Sequence, residues 1–176
     1  MKKSTKNRAQ KQNLSYSFSI HMKRVLSMTK PMLQEKLSVV LADTYVTLML
    51  TQKLHWHVTG SCFYSIHKMT QEQYEEMQGS IDELAEHMRT LGYEAPSGMR
   101  RYSALSTIEE HDHTLSTSDA SIEHLIEAHG KVRASISAVL RVAGEHEDLA
   151  TEDIMVERLR AHDKHIWMLA SSLSSI

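Results

Sequence analysis

The run His55-Trp56-His57-Val58-Thr59-Gly60-Ser61-Cys62-Phe63-Tyr64-Ser65-Ile66-His67, continued by an amphipathic pattern carrying Asp82 and Glu86, decides the fold. Imidazole nitrogens with carboxylate oxygens form a donor set that suits iron or zinc better than magnesium or calcium. From Phe63 to Leu91, positions 63, 67, 70, 74, 77, 81, 84, 88 and 91 step by three or four with no proline between them, the period of one helix face. Asp82 and Glu86, four apart, lie over one another on that helix. His67 and Asp82 are fifteen residues apart, roughly 22 Å along a straight helix at about 1.5 Å per residue. Such a pair cannot share an ion within one chain. If all four groups serve one site, Asp82 and Glu86 must meet the histidines of another chain, which predicts a two-fold dimer with metal at its interface.

These residues also carry a family resemblance. HWHVTG at 55–60, a second histidine twelve residues after the first, and DELAEH at 82–87 resemble the signature of the Dps family, DNA-binding proteins from starved cells. Ser97-Gly98-Met99-Arg100-Arg101-Tyr102 and Asp163-Lys164-His165-Ile166-Trp167 extend the likeness over roughly residues 30–176. A joint match of ligand spacing and flanking pattern is far more specific than one short motif. The resemblance implies a ferritin-like four-helix bundle, twelve chains to a cage, and iron bound by His55, His67, Asp82 and Glu86. It implies Fe(II) oxidation, preferably by hydrogen peroxide, and an Fe(III) mineral stored inside the shell. It puts Trp56, and with it Trp167, close to the iron as oxidation-prone catalytic aromatics, and it matches Asp148 and Asp153 to acidic pores that admit Fe(II). One position departs from the pattern: relatives often carry an acid four residues after the second histidine, where this chain has Gln71. A neutral amide oxygen ligates more weakly than a carboxylate, and Glu72 and Glu75 are the acids near enough to stand in.

The bulk numbers agree with one helical domain. At 176 residues the chain is long enough to bury a proper core, and two prolines and six glycines point to helices. The single cysteine, Cys62, excludes a disulfide framework and reads as a small buried filler in a reducing compartment. No apolar run reaches membrane-spanning length, the best, around Leu37 to Leu50, being broken by Asp43 and Thr44. The basic N-terminus lacks the apolar core of a signal peptide, so a cytoplasmic, nucleoid-associated protein is expected.

Charge divides the chain in two. Lys2, Lys3, Lys6, Arg8, Lys11, Lys23 and Arg24 face no acid within residues 1–24, which leaves thirteen Lys and Arg against twenty-two Asp and Glu, a body of about minus nine. Residues 1–28 form an aperiodic basic arm, expected to be mobile, and 29–176 the bundle. Through Lys2, Lys3, Lys6, Arg8 and Lys11 the arm is expected to hold DNA phosphates without sequence preference; otherwise it is a solvated tail, with translation beginning at Met22 or Met28.

Along the body, Pro31 precedes a first helix from about Met32 to Val58, with Val39, Val40, Thr47, Leu50 and Leu54 inward and Gly60 ending it. A second helix returns from Phe63, and Gly92, Pro96 and Gly98 break it from a long crossover. Leu105, Ile108, Glu109 and Glu110 suggest a short helix there. A third helix, about Asp119 to Ala143, carries Ile122, Leu125, Ile126, His129, Val132, Ile136, Val139 and Leu140, closed by Gly144. A fourth, capped by Thr151, carries Met155, Leu159, His162, Ile166, Leu169 and Leu173. Acids at Glu145, Glu147, Asp148, Glu152 and Asp153 also simply complement the dipole of that last helix.

An all-α ferroxidase cage is therefore expected. A DNA-compacting cage with weak or vestigial ferroxidase activity, which Gln71 keeps in play, is the alternative, and a divalent-ion buffer without turnover a third. A diiron site within one bundle needs paired Glu-x-x-His motifs; Glu110 to His113 is the sole such spacing and falls in the crossover.

Overall fold

The computed structural model describes residues 31–110 and 118–173. The basic arm with its lysines and Arg8, most of the Glu110–His113 spacing, and the last three residues lie outside them. Among the described residues there are helices and no strand: α1 (31–57), α2 (Phe63–Thr90), α3 (Met99–Leu105), α4 (Ser118–Glu145) and α5 (Leu149–Ala170).

Helix α1 is buried nearly all round, with Leu37, Val40, Leu41, Ala42, Asp43, Thr44, Val46, Thr47 and Thr51 hidden from solvent. Its threonines tolerate this because each hydroxyl donates to the carbonyl one turn earlier: Thr44 to Val40 (2.7 Å), Thr47 to Asp43 (2.8 Å) and Thr51 to Thr47 (2.7 Å). Gly60, at φ +91°, breaks the chain in the left-handed region that glycine adopts without penalty. Helix α2 then returns beside α1.

Helices α4 and α5 are joined by a three-residue turn and so run antiparallel. Glu76 meets Arg158 and His87 meets Thr151, so α2 ascends as α5 descends. Helix α2 is therefore parallel to α4, and the long crossover between them is what a parallel pair requires. Ile122, Leu125, Val132, Ile136 and Val139 of α4 pack with Met155 and Leu169 of α5 and Met77, Leu84 and Met88 of α2 in one core.

Five details differ from the sequence pattern. The inner stripe of α2 is Ile66, Thr70, Gln73, Met77, Ser80, Ile81, Leu84 and Met88, three of whose members, Thr70, Gln73 and Ser80, are polar, the last two masking the periodicity. Phe63, at the open end of the bundle, is 43% exposed. The short crossover helix lies earlier than Leu105–Glu110, at Met99–Leu105, and begins after Gly98 at φ +91°. It stops there because Ser106 turns extended (φ −64°, ψ 142°) and the chain is held by the buried Asp43 carboxylate, which accepts from Ser106 Oγ (2.9 Å), Thr107 N (2.7 Å) and Thr107 Oγ1 (3.0 Å). Gly144 lies inside α4, and the reversal is made by Glu147 at φ +55°. Finally, Asp148 rather than Thr151 caps α5, its carboxylate accepting from Thr151 N at 3.2 Å.

Candidate metal site

The short turn at Gly60 places the last turn of α1 against the second turn of α2, which brings His55 to His67. Their rings stack at 3.8 Å between centroids, 15° from parallel. Each ring is anchored by the other residue's backbone: His55 Nδ1 lies 2.7 Å from the His67 carbonyl oxygen, and His67 Nδ1 lies 2.9 Å from that of His55. A carbonyl oxygen only accepts, so both Nδ1 atoms carry the proton and each neutral ring keeps its lone pair on Nε2. That tautomer is the one a second partner fixes in metal-binding histidines. The His55 carbonyl is among the last four of α1, which have no partner within the helix, so helix termination itself supplies the acceptor. Tyr74 meets His55 edge-on at 5.3 Å, and Phe63 stacks on His67 at 5.0 Å.

Asp82 and Glu86 sit one turn apart and exposed on the same unbroken α2 that carries His67. Fifteen residues of continuous helix separate His67 from Asp82, roughly 22 Å. The structure thus joins His55 to His67, and Asp82 to Glu86, but not one pair to the other within the chain. Asp82 lines an open groove of about 810 Å³ between α1 and α2, together with Leu41, Tyr45, Leu48, Gln52, Glu75, Gln78 and Tyr102.

Gln71 is engaged: its Nε2 donates to Glu75 Oε1 at 2.8 Å, and its Oε1 accepts from Lys68 Nζ at 3.3 Å. Glu72 is exposed beside it. Trp56 and Trp167 are each 66% exposed on this chain. Cys62 is not a buried filler: it sits in the tight turn at the N-cap of α2 with its side chain exposed. Asp148 is half-buried and uses both oxygens on Thr151, its Oδ2 accepting from Thr151 Oγ1 at 2.7 Å, whereas Asp153 is exposed on the first turns of α5.

One group of ligand-type residues has no counterpart in the sequence expectations. His129, His162 and His165 meet inside the bundle, all buried. The sequence signal is slight: two histidines in otherwise apolar lines, and the spacing His162-x-x-His165.

The family profile Ferritin, described as a ferritin-like domain, matches residues 34–176. A low temperature-induced protein of Nostoc sp. is 33% identical over 132 residues, 74% of each chain. A "DNA protection during starvation protein" of Porphyromonas gingivalis is 28% identical over 156 residues, 85% of this chain and 98% of that one. Among solved structures, the Dps protein of Vibrio cholerae O1, described as a member of a broad superfamily of ferritin-like diiron-carboxylate proteins, superposes with a TM-score of 0.77 at 28% identity, covering 84% of this chain and 92% of that one. With the bundle, the crossover helix and the His55–His67 pair in place, the chain belongs to the Dps family of ferritin-like proteins.

Proposed function

We propose that this chain builds a dodecameric cage that oxidises Fe(II) at sites shared between two-fold mates and stores the Fe(III), protecting DNA from oxidative damage. His55 and His67 of one chain and Asp82 and Glu86 of the other bind the substrate ion. The observation that carries this is the reciprocal lock of the two imidazoles, which presents Nε2 of each as a donor with no carboxylate of the same pattern within reach. The groove lined by Asp82 is where a second copy of α1 and α2 would sit. Neutral imidazoles and carboxylates favour the higher charge of Fe(III). Hydrogen peroxide is the preferred oxidant: two Fe(II) each lose one electron, the O–O bond takes both and breaks, and two protons complete two waters. No hydroxyl radical leaves the site. Trp56, next to His55, is the aromatic that intercepts stray oxidation. Asp153, with Asp148 nearby, lines the pores by which Fe(II) arrives.

The test separates shared from single-chain sites. His67→Ala and Asp82→Asn are each made alone, then co-expressed. A mixed dimer regains one intact site out of two, so random pairing should restore about a quarter of the sites, read as Fe(II) oxidation by peroxide. Hybrids no faster than either parent would overturn the shared site.

A DNA-compacting cage with a weakened oxidase is the second function considered, and Gln71, tied to Lys68 and Glu75 instead of free to ligate, favours it. DNA would be held by the arm through Lys2, Lys3, Lys6, Arg8 and Lys11, each contact weak and multiplied by the number of arms. Gel retardation by full-length protein against a version starting at Met28, at two salt concentrations, checks this. Equal retardation by both would remove the arm from the account.

A further inference from the structure

We propose that the centre of each bundle holds a second metal site, in which His129 of α4 and His162 and His165 of α5 bind a late first-row divalent cation of the zinc class. It is separate from the His55–His67 pair, lies wholly within one chain, and stands whether or not iron is oxidised between subunits.

The geometry begins with helix spacing. His162 and His165 are three apart and project from one face of α5, and the antiparallel pairing of α4 brings His129 opposite them. One ring nitrogen from each of the three can be chosen so that all lie within 4.8 Å of one another. A tetrahedral ion with bonds of about 2.0–2.1 Å sets its ligand nitrogens about 3.3 Å apart, so no pair has to move by more than about 1.5 Å. The rings do not stack as His55 and His67 do. Their centroids lie 5.1 Å (His129–His162), 5.2 Å (His129–His165) and 6.0 Å (His162–His165) apart, at tilts of 54° to 79°, the last two pairs T-shaped.

The hydrogen bonding of the cluster is incomplete. His129 Nδ1 and His162 Nδ1 are 2.8 Å apart, so one donates and the other accepts. His129 Nε2, His162 Nε2 and His165 Nδ1 are buried with no hydrogen-bond partner among the described residues. Leaving a buried polar atom unpaired costs about 1–3 kcal/mol. The three rings thus form one buried cluster with fewer hydrogen bonds than nitrogens, a shortfall that a bound cation would reduce.

The surroundings supply what a metal-bound histidine ordinarily has behind it. Glu76 of α2 forms a two-pronged pair with Arg158, one prong at 2.9 Å, and its Oε2 lies 3.8 Å from His165 Nε2. At 3.8 Å the carboxylate makes no hydrogen bond, but its negative charge beside Nε2 favours the proton there and leaves Nδ1, the unpaired atom, to donate its lone pair. An all-nitrogen set backed by one carboxylate selects zinc, cobalt, nickel or copper over magnesium and calcium. Burial holds the three rings in their neutral, ligating form, with Arg158 adding to the effect on all three and Glu76 opposing it at His165. Bound there, the ion would tie α4 to α5 and, through Glu76, to α2.

The probe is Co(II), added to chelator-stripped full-length protein and followed by the strong visible absorption of low-coordinate Co(II). A His55→Ala/His67→Ala background removes the other histidine pair. In that background a single tight Co(II) per chain is expected, with a raised Tm. His162→Gln should abolish it, and Glu76→Gln should weaken it about 10- to 100-fold, the usual loss when the group behind a ligand is removed. If His162→Gln does not assemble, His165→Gln, the most accessible of the three, replaces it. Anomalous scattering from zinc-soaked crystals should put a peak among the three rings. The proposal falls if Co(II) binding vanishes in the His55→Ala/His67→Ala background, if it survives loss of a bundle histidine, or if the peak is absent.

Discussion

Replacing Asp43 by alanine is expected to destabilise the chain by about 4 kcal/mol, a figure that follows from its partners. The carboxylate is completely buried in α1. Oδ1 accepts from Ser106 Oγ (2.9 Å) and Thr107 N (2.7 Å), and Oδ2 from Thr107 Oγ1 (3.0 Å) and Ser135 Oγ (2.6 Å). It therefore pins the crossover and α4 to the central helix. Alanine strands four donors, each costing about 1–3 kcal/mol when left unpaired. Thr107 is exposed and Ser106 and Ser135 are half-buried, so water reaches them in part and the lower figure applies to each. At about 2–4 °C per kcal/mol for a chain of this size, Tm should fall by roughly 10 °C. Asp43→Asn is the discriminating control. An amide keeps an oxygen for Thr107 N and Ser106, and its N–H groups face hydroxyls that accept as readily as they donate. Only the charge-assisted part is lost, about 1 kcal/mol. Thermal scans of both variants at one protein concentration, with circular dichroism confirming the helices, measure the difference. If alanine and asparagine lower Tm equally, the hydrogen-bond hub is not what holds the crossover.

Two further outcomes can be measured on the same material. Gln73 is 2% exposed with neither amide atom hydrogen-bonded among the described residues, so Gln73→Met should raise stability by about 1–2 kcal/mol; a lowered urea midpoint would mean that the amide has a partner. In chelator-treated protein, stability should be fully present above about pH 6.5 and fall as the pH drops. Burial holds His129 and His162 well below the ordinary histidine value and His165 at about 4, so below pH 6.5 the unfolded chain binds more protons than the folded one. For His165 alone the full loss, reached near pH 4, is roughly 3 kcal/mol. Unfolding midpoints at pH 7.5 and pH 5 that coincide would show that these rings titrate as they do in the unfolded chain.

The helices were legible because their apolar residues recur at helical spacing, and α1, α2, α4 and α5 all appear within a few residues of where that spacing puts them. What misled at their ends was local. Gly144 looks like a terminator, but Glu147 makes the left-handed turn and Asp148 the cap. Asp43 and Thr44 read as interruptions of an apolar run, whereas one is an anchor for the crossover and the other bonds its own helix. Neither role is visible until Ser106, Thr107 and Ser135 have been brought from sixty to ninety residues away. His55 and His67 could be paired from sequence because a short turn leaves two adjacent helix ends few ways to meet. His129, His162 and Glu76 belong to three helices, and only the packing of α2, α4 and α5 brings them together.

The two histidine groups differ for a reason that lies in helix geometry. At a helix end the last carbonyls lack partners, so His67 Nδ1 finds the carbonyl of His55, which fixes its tautomer without any other residue. In mid-helix every carbonyl is already taken by the amide four residues on, and a buried imidazole there has only other side chains to turn to. His129 and His162 accordingly bond each other, and one nitrogen of each is left over. If His55 and His67 bind iron as proposed, the first pair has its proton on the non-ligating nitrogen as soon as the turn forms. The second must break the His129–His162 hydrogen bond if the same two nitrogens are to ligate, which also requires one ring to move its proton to the other nitrogen. By that route loading of the bundle centre should be slower than loading of the His55–His67 pair, and the two are separable by rate as well as by variant.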